Sequence, residues 1–328
     1  MSIVKMRPPI AHIPIAHEYL FPTMNISVIK ILKTFDKSSL FYYFASNSSV
    51  REGTNNIVKR EKTKLGKLEI QLLAYAQLRK KEFILSGELA TALEITAEQE
   101  WKLLNRMATS GVIIRLKRGV YLVPSRLPVG GRWTVSGYYI LSKFMEVMKG
   151  QYQISGPNAF NFYGFDDQIP SRFYVYNNKI FGEKEIGGTD FIFIKTDVKR
   201  LGSTKSLKTS DDIDTVMVSK TRALVDAVYD WSRFNTLPRA YGWIVETLQK
   251  EPEITDNLID DTLKYSNKGT IKRIGYLLAQ LSISNDRLSE LKRVISSSNS
   301  LIPWIPSLAA KGSVNKEWGL LVNGSIPR

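Results

Sequence analysis

The sequence contains no cysteine among its 328 residues. Disulfide bonds and thiolate-ligated zinc sites are therefore excluded, because both require the cysteine sulfur. A chain without disulfide bonds fits a reducing compartment. We therefore expect a cytoplasmic protein.

Histidine is scarce, and only His12 and His17 are present. Their spacing matches no familiar metal site, although imidazole is both a frequent metal ligand and the commonest general base. The scarcity of histidine and cysteine favours a binding protein over an enzyme. We predict no catalytic or metal-binding residues and no cofactor.

Long hydrophobic runs are also missing, and no apolar stretch approaches the roughly 20 residues that span a membrane. The N-terminal charges Lys5 and Arg7 are followed by Pro8, Pro9 and Pro14, which interrupt the apolar segment that a secretion signal requires. We expect a soluble protein without a membrane partner.

Acidic side chains are outnumbered, with 31 Asp and Glu against 46 Lys and Arg, which gives a formal net charge of +15. The excess is densest at the start, where residues 1–65 carry ten basic and four acidic side chains. A basic surface favours a polyanionic partner, because each cation that meets a phosphate releases a condensed counterion.

Residues 1–64 mix prolines with polar runs and end in a basic cluster, Lys59, Arg60, Lys62 and Lys64. We predict a poorly ordered basic arm. The alternative is an upstream extension of the reading frame, since Met24 offers a second start.

Residues 65–126 have the pattern of a winged helix-turn-helix. Apolar residues from Leu65 to Ala76 recur at helical spacing, a short helix is predicted over Gly87 to Leu93, and a third helix runs from Thr96 to Gly111. Thr96 and Gln99 have the spacing of a capping box at the start of that third helix. Two β-rich runs between Val112 and Pro124 then enclose a basic turn, which is typical of a wing.

The third helix has an apolar side and a polar side on a helical wheel. Its apolar face is predicted to carry Ala97, Trp101, Leu104 and Ala108. Arg, Lys, Asn and Gln side chains can read base edges in the major groove, whereas cations in the wing suit phosphates. Glu98 and Glu100 weigh against this interpretation because carboxylates repel phosphates, and the helix alone also fits an ordinary solvated face. The predicted DNA-binding residues are Gln99, Lys102, Asn105 and Arg106 in the helix and Arg115, Lys117 and Arg118 in the wing.

After a connector at Pro124 to Arg132, residues 133–296 are predicted to form a larger mixed domain with a helical C-terminal part, followed by a tail at 297–328. The predicted strands come first and the helices later, so we expect an α+β fold. The predicted strands are Gln151 to Ser155, Arg172 to Tyr176, Phe191 to Lys195 and Thr215 to Val218. The predicted helices are Lys220 to Trp231, Pro238 to Gln249, Asn257 to Tyr265, Thr270 to Leu281 and Asn285 to Ser296.

Three polar features of this domain admit more than one interpretation. Gly202-Ser203 followed by Asp212 and Asp214 is similar to the signature of nucleotidyltransferases, in which paired carboxylates hold magnesium, although the gap is short. Asp226 and Asp230 fit either a metal pair or, as we prefer, a surface ion pair of Asp226 with Arg222. The remaining set consists of cations that either extend a DNA footprint or are simply solvated: Lys264, Lys268, Lys272 and Arg273.

Several blocks resemble one known family. Leu103 to Met107, running into Gly111 to Pro124, is similar to the N-terminal domain of AbiEi-family antitoxins. Blocks of the same family are matched in order downstream, so the resemblance covers about residues 64–281. These later blocks are Ile154 to Ala159, Tyr163 to Phe165, Val218 to Asp226 and Lys272 to Leu278.

Membership of that family would imply an antitoxin of a type IV toxin-antitoxin operon with a role in phage defence. Its N-terminal domain would repress the operon's own promoter by binding double-stranded DNA. Its C-terminal domain would counteract a nucleotidyltransferase-like toxin, and direct contact with the toxin is not required in this type of system. The alternatives are a nucleotidyltransferase-like enzyme that uses Asp212 and Asp214, or a ligand-sensing transcription regulator without a toxin.

Overall fold

The computed structural model describes residues 65–126, 132–209, 213–281, 287–298 and 300–325. The predicted N-terminal arm, 1–64, and both histidines lie outside these ranges. The chain divides into two compact units between Trp133 and Thr134. Both units contain helices and sheets, so the predicted mixture of α and β structure is confirmed.

The first unit contains three helices and one antiparallel sheet of order β1-β3-β2. Leu72, Leu104 and Tyr121 are among the buried residues through which the helices and the sheet share one hydrophobic core. Strand β1 was not predicted, because three residues are too few to show a strand pattern. The elements are α1 (Lys67–Leu78), β1 (Phe83–Leu85), α2 (Glu88–Ala92), α3 (Ala97–Thr109), β2 (Ile114–Lys117) and β3 (Val120–Leu122).

The second unit has a six-stranded sheet of order β6-β7-β5-β4-β9-β8, in which parallel and antiparallel pairs alternate. Most of its helices follow the sheet in sequence. The sheet strands and preceding helices are α4 (Gly137–Val147), β4 (Tyr152–Ile154), α5 (Pro157–Phe162), β5 (Phe173–Asn177), β6 (Gly182–Ile186), β7 (Thr189–Lys195), β8 (Thr204–Lys208) and β9 (Asp214–Val218). The later helices are α6 (Lys220–Tyr229), α7 (Trp231–Phe234), α8 (Arg239–Lys250), α9 (Thr255–Tyr265), α10 (Lys268–Gln280) and α11 (Leu288–Ile295).

The four predicted strands and five predicted helices of this unit are confirmed, apart from their exact ends. Helix α6 lies at the centre of the helical part, and its residues from Thr221 to Val228 are all buried. Helices α4, α5 and α7 and strands β6 and β8 were missed. Charged and polar residues make up most of β6 and β8, because both are edge strands with exposed side chains.

The predicted separate tail at 297–328 is wrong, because the segment belongs to the second unit and four of its apolar residues, Trp304, Ile305, Trp318 and Leu320, are buried. They form a small sheet of β10 (Ile302–Pro303), β11 (Ser313–Asn315) and β12 (Leu320–Val322). Trp304 is fully buried and stacks on Tyr241 of α8, with the ring centroids 3.8 Å apart. Trp318 is also buried and lies directly against Gly275 of α10.

Two of the four cations predicted to be solvated or to extend a DNA footprint are buried instead. The Lys272 ammonium donates to the Ser300 carbonyl oxygen, and Arg273 Nη2 donates to the Pro303 carbonyl oxygen at 3.1 Å. Burial, with a smaller effect from neighbouring Lys268, lowers the pKa of Lys272. These side chains therefore anchor the C-terminal segment.

No helix in the described ranges has the length and apolarity needed to cross a membrane.

Candidate nucleic-acid interface

Helix α3 begins with the predicted capping box. The Gln99 backbone N–H donates to Thr96 Oγ1 at 3.2 Å, and the Thr96 N–H donates to Gln99 Oε1 at 2.9 Å. The Gln99 side chain is exposed, but its carbonyl oxygen is already used at the helix N-terminus. Because pairing with adenine requires both the oxygen and the nitrogen of the amide, Gln99 is less available for base reading than predicted.

Glu100 was weighed against DNA binding as a carboxylate that would repel phosphates, but it does not lie on the exposed side of α3. Its side chain is buried, with 3% of the residue exposed, and lies on the same face as Leu103, Leu104 and Met107. Its two oxygens accept the backbone N–H groups of Gly87 and Leu89, each at 2.8 Å. The carboxylate thus satisfies free donors at the positive N-terminal end of α2.

The predicted apolar face of α3 is wrong at Ala97 and Trp101, because both are exposed and Trp101 is 61% exposed. The helical wheel placed the buried face by assuming that only apolar side chains are buried. This assumption fails for α3, because the Glu100 carboxylate is buried. Since Glu100 is in fact at the middle of the buried face, the true buried side is rotated by roughly 80° on a wheel of 100° per residue. Trp101 therefore lies on the flank of the solvent-facing side.

Lys102, Asn105 and Arg106 are exposed as predicted. Lys102 forms an i,i+4 ion pair with Glu98, with a distance of 2.7 Å between Nζ and Oε1. Arg106 Nε donates to Glu69 of α1 at 2.6 Å, and its side chain remains 58% exposed. Glu69 is itself buried, so it holds Arg106 in one position while much of the guanidinium faces solvent.

The hairpin of β2 and β3 presents the other three predicted residues. Arg115 and Lys117 alternate with buried Ile114 and Leu116, so both cations lie on the exposed face of β2. Arg118 is exposed in the turn, where Gly119 has a φ of 75°. Within the described part of the chain, these three cations have no carboxylate partner. They carry uncompensated positive charge.

Ser203 and Asp214, the described residues that the nucleotidyltransferase alternative would combine, are not brought together. The Ser203 hydroxyl donates to Asp261 at 2.9 Å, and the Ser203 carbonyl accepts the Ser219 N–H at 2.7 Å. Asp214 pairs with Lys208 at the opposite end of the β8–β9 hairpin. Ser203 and Lys208 are five residues apart along the extended chain, which separates these ends by roughly 17 Å. Asp212 lies outside the described residues.

The Arg222–Asp226 ion pair forms as predicted, but it is fully buried rather than on the surface. Arg222 Nε donates to Asp226 at 2.9 Å, and Asp226 also accepts from Arg200 at 3.0 Å and from Ser155 at 2.9 Å. Asp226 is therefore already neutralised by cations from the chain itself.

The neighbouring carboxylate, Asp230, accepts a hydrogen bond from the Tyr176 hydroxyl. Burial raises the pKa of Asp230, and burial together with the charges of Asp226 and Asp230 raises the pKa of Tyr176 well above its usual value. Asp226 is paired with two arginines, and Asp230 accepts a hydrogen bond from a tyrosine. The two carboxylates therefore do not form an open metal site.

A second buried carboxylate, Asp261, accepts hydroxyl donors from three residues through one oxygen. The distances are 2.6 Å to Thr221, 2.9 Å to Ser203 and 3.3 Å to Ser219. Burial raises the pKa of Asp261. Ser219 also caps α6, so this cluster joins the end of the sheet to two helices.

No protein-family model matches the chain, and no curated protein matches it. Among solved structures, the crystal structure of the RV2827C protein from Mycobacterium tuberculosis matches with a TM-score of 0.46 and 12% sequence identity. The match covers 78% of this chain and 92% of that chain. This level of similarity assigns neither a family nor a function.

Proposed function

We propose that residues 65–126 form a winged helix-turn-helix and that the protein is a DNA-binding antitoxin that represses its own operon. The exposed basic surface of the first unit is the observation that carries this proposal. The surface is made by Lys102, Asn105 and Arg106 of α3 together with Arg115, Lys117 and Arg118 of the hairpin. These are side chains that read base edges and bind phosphates.

The positions of three of the six acidic side chains of residues 65–126 support this proposal, whereas Glu82, Glu94 and Glu98 are exposed. Glu100 is buried against α2, and Glu69 is buried against Arg106. Glu88 accepts from the Tyr75 hydroxyl at 2.9 Å and pairs with Lys81. These carboxylates serve the fold of the unit, so they oppose an approaching phosphate backbone less than their number suggests.

The two groups of cations have different proposed roles. In a winged helix the third helix enters the major groove, so Lys102, Asn105 and Arg106 read base edges. Arg106 is held by Glu69, which reduces the conformational entropy lost when it contacts a base. Arg115, Lys117 and Arg118 bind phosphates and supply affinity that is independent of sequence.

For the second unit we propose the antitoxin role, in a type IV operon with a nucleotidyltransferase-like toxin. Support comes from the resemblance of the Ile154 to Ala159 and Val218 to Asp226 blocks to AbiEi-family antitoxins. In the structure these blocks lie at the end of β4 with the start of α5, and at the end of β9 with the start of α6. They are joined by the hydrogen bond from Ser155 to Asp226.

A gel-shift titration of the full chain against its own upstream DNA and a scrambled duplex tests the DNA-binding half. We expect selective binding that is lost when Arg115, Lys117 and Arg118 are all changed to Ala. The matched control changes Lys195, Lys199 and Lys205 to Ala, which removes three exposed cations from the second unit. If both triple variants lose affinity equally, the charge of the whole protein, and not the proposed interface, is responsible.

Coexpression with the protein encoded by the adjacent gene tests the antitoxin half. We expect growth arrest by that gene product alone and recovery when this chain is present, even with the DNA-binding triple variant. Selective promoter binding without rescue would indicate a transcription regulator without a toxin.

A further inference from the structure

Trp101 is the exposed member of the six tryptophans, all of which lie in described ranges. Trp304 and Trp318 are buried, and Trp133, Trp231 and Trp243 are partly buried. The largest apolar side chain of α3 therefore faces solvent. Single exposed apolar residues are common on proteins, so exposure alone assigns no role. The position of Trp101 is what carries the inference.

The neighbours of Trp101 one turn away on α3 are Ala97, Glu98, Leu104 and Asn105. The Ala97 side chain is too short to cover an indole ring, Leu104 is buried in the core, and Glu98 is paired with Lys102. Within the described ranges, the ring has no aromatic or cationic partner and its N–H makes no hydrogen bond. Because 61% of Trp101 is exposed, most of the ring is available to a binding partner.

The polar neighbours of Trp101 belong to the proposed interface. Lys102 is adjacent in sequence, and Asn105 is one turn later on the same exposed side. The core of a protein–protein interface is usually depleted in charged residues, whereas a DNA interface is rich in cations. Lys102 is paired with Glu98, so the positive charge comes from the rest of the unit, where residues 65–126 carry ten basic and six acidic side chains. The hairpin cations Arg115, Lys117 and Arg118 have no carboxylate partner among the described residues. This basic character of the unit favours a nucleic-acid partner over an apolar protein surface.

We infer that Trp101 contacts the 5-methyl group of a thymine in the major groove, and so makes the protein select thymine at one position of its operator. This inference rests on the proposed DNA-binding function. The thymine methyl is the apolar group on the major-groove edges of the bases, and it is recognised by apolar side chains. The indole ring supplies the apolar surface, while Lys102 and Asn105 meet the neighbouring polar edges.

Uracil substitution tests the contact, because uracil differs from thymine only by the missing methyl group. Each thymine of the promoter site is replaced in turn by uracil, and binding of the full chain is measured by fluorescence anisotropy. We expect a weakening of about fourfold at one position, the effect of one buried methyl group. Trp101→Ala should bind the thymine and uracil duplexes equally, and Trp101→Phe should keep part of the preference.

The matched control is Leu78→Ala, which removes another exposed apolar side chain from the same unit, at the end of α1. This variant should keep the full preference for thymine. Both variants should fold normally, since neither side chain is buried, and circular dichroism checks this. Selective promoter binding with an unchanged thymine preference in Trp101→Ala would overturn the inference and leave the proposed function standing. Equal binding of promoter and scrambled duplexes by the unaltered chain would overturn both.

Discussion

The Glu100 carboxylate accepts the backbone N–H of Leu89 at 2.8 Å, from a position in the middle of the buried face of α3. A second bond to Gly87 makes this one side chain the cap of α2, which has no cap of its own because its N-cap residue is Gly87. Helices α2 and α3 are thus joined by a charge-assisted contact as well as by apolar packing.

Replacing Glu100 with Gln should therefore destabilise the first unit. The amide keeps one acceptor oxygen but places an NH₂ group against a backbone N–H, which leaves a buried donor unpaired at a cost of about 1–3 kcal/mol. Urea unfolding, combined with hydrogen exchange of the α2 and α3 amides, measures the loss. Glu98→Gln is the control, because Glu98 is exposed and its pair with Lys102 contributes only about 0.3–0.5 kcal/mol. Equal losses in the two variants would contradict the capping role.

Arg118 and Arg106 should differ in their effects on DNA binding. Arg118→Ala removes a proposed phosphate contact, so affinity should fall similarly on all duplexes and the salt slope should become shallower by about 0.9. Arg106→Ala should instead reduce discrimination, by about 1–3 kcal/mol, if Arg106 reads a base pair. Titrations on promoter and scrambled duplexes at several salt concentrations separate these effects. If both variants lost affinity equally on all duplexes, the assignment of Arg118 to phosphates and Arg106 to bases would be wrong.

Glu69→Gln should change affinity and selectivity in opposite directions. Removing the carboxylate releases Arg106 and takes away a negative charge, so binding to scrambled duplex should become tighter. Preference for the promoter should fall at the same time, because Arg106 is no longer held in one position. Glu94→Gln is the control for charge alone, since Glu94 is exposed in the same unit. A loss of selectivity in both variants would remove the positioning role of Glu69.

Asp261 should give a measurable pH dependence of stability. Burial raises its pKa above the ordinary value of 3.8, so the folded state binds this proton more tightly than the unfolded state. The resulting stabilisation is complete below pH 3.8 and is lost as the pH rises through the folded-state pKa. Asp261→Asn does not titrate, so the stability of the unaltered chain relative to this variant should decrease over that window. Urea unfolding at a series of pH values measures the difference, and a flat or rising difference would contradict the shift.

Local signals in the sequence predicted most of the first unit. The capping box at Thr96 and Gln99 depends on residues three positions apart, and the turn at Gly119 depends on one residue that tolerates positive φ. Such features act within one turn of the chain, so they can be recognised without knowing the fold. The strands and helices of the second unit that follow a clear apolar period were predicted for the same reason.

The side chains that were wrongly placed are those whose partners lie far away in sequence. Lys272 and Arg273 have the composition of a solvated surface, yet they bind carbonyl groups about 30 residues later. The same applies to the 300–325 segment, whose Trp304 is buried against Tyr241 and Tyr276, more than 25 residues earlier in the chain. Whether a charged or aromatic side chain is buried depends on the residue that it contacts. When that residue is distant in sequence, the local sequence pattern does not predict the contact.

The sequence by itself determined the three helices and the hairpin of the first unit, and the four inner strands and five later helices of the second unit. It also determined the basic character of the first unit and the exposed position of its turn, because all of these follow from periodicity, composition and local hydrogen bonding. Only the tertiary structure decided which face of α3 is buried. That face is set by the need of the α2 amides for an acceptor, which Glu100 meets, and the rotation that buries Glu100 also exposes Trp101.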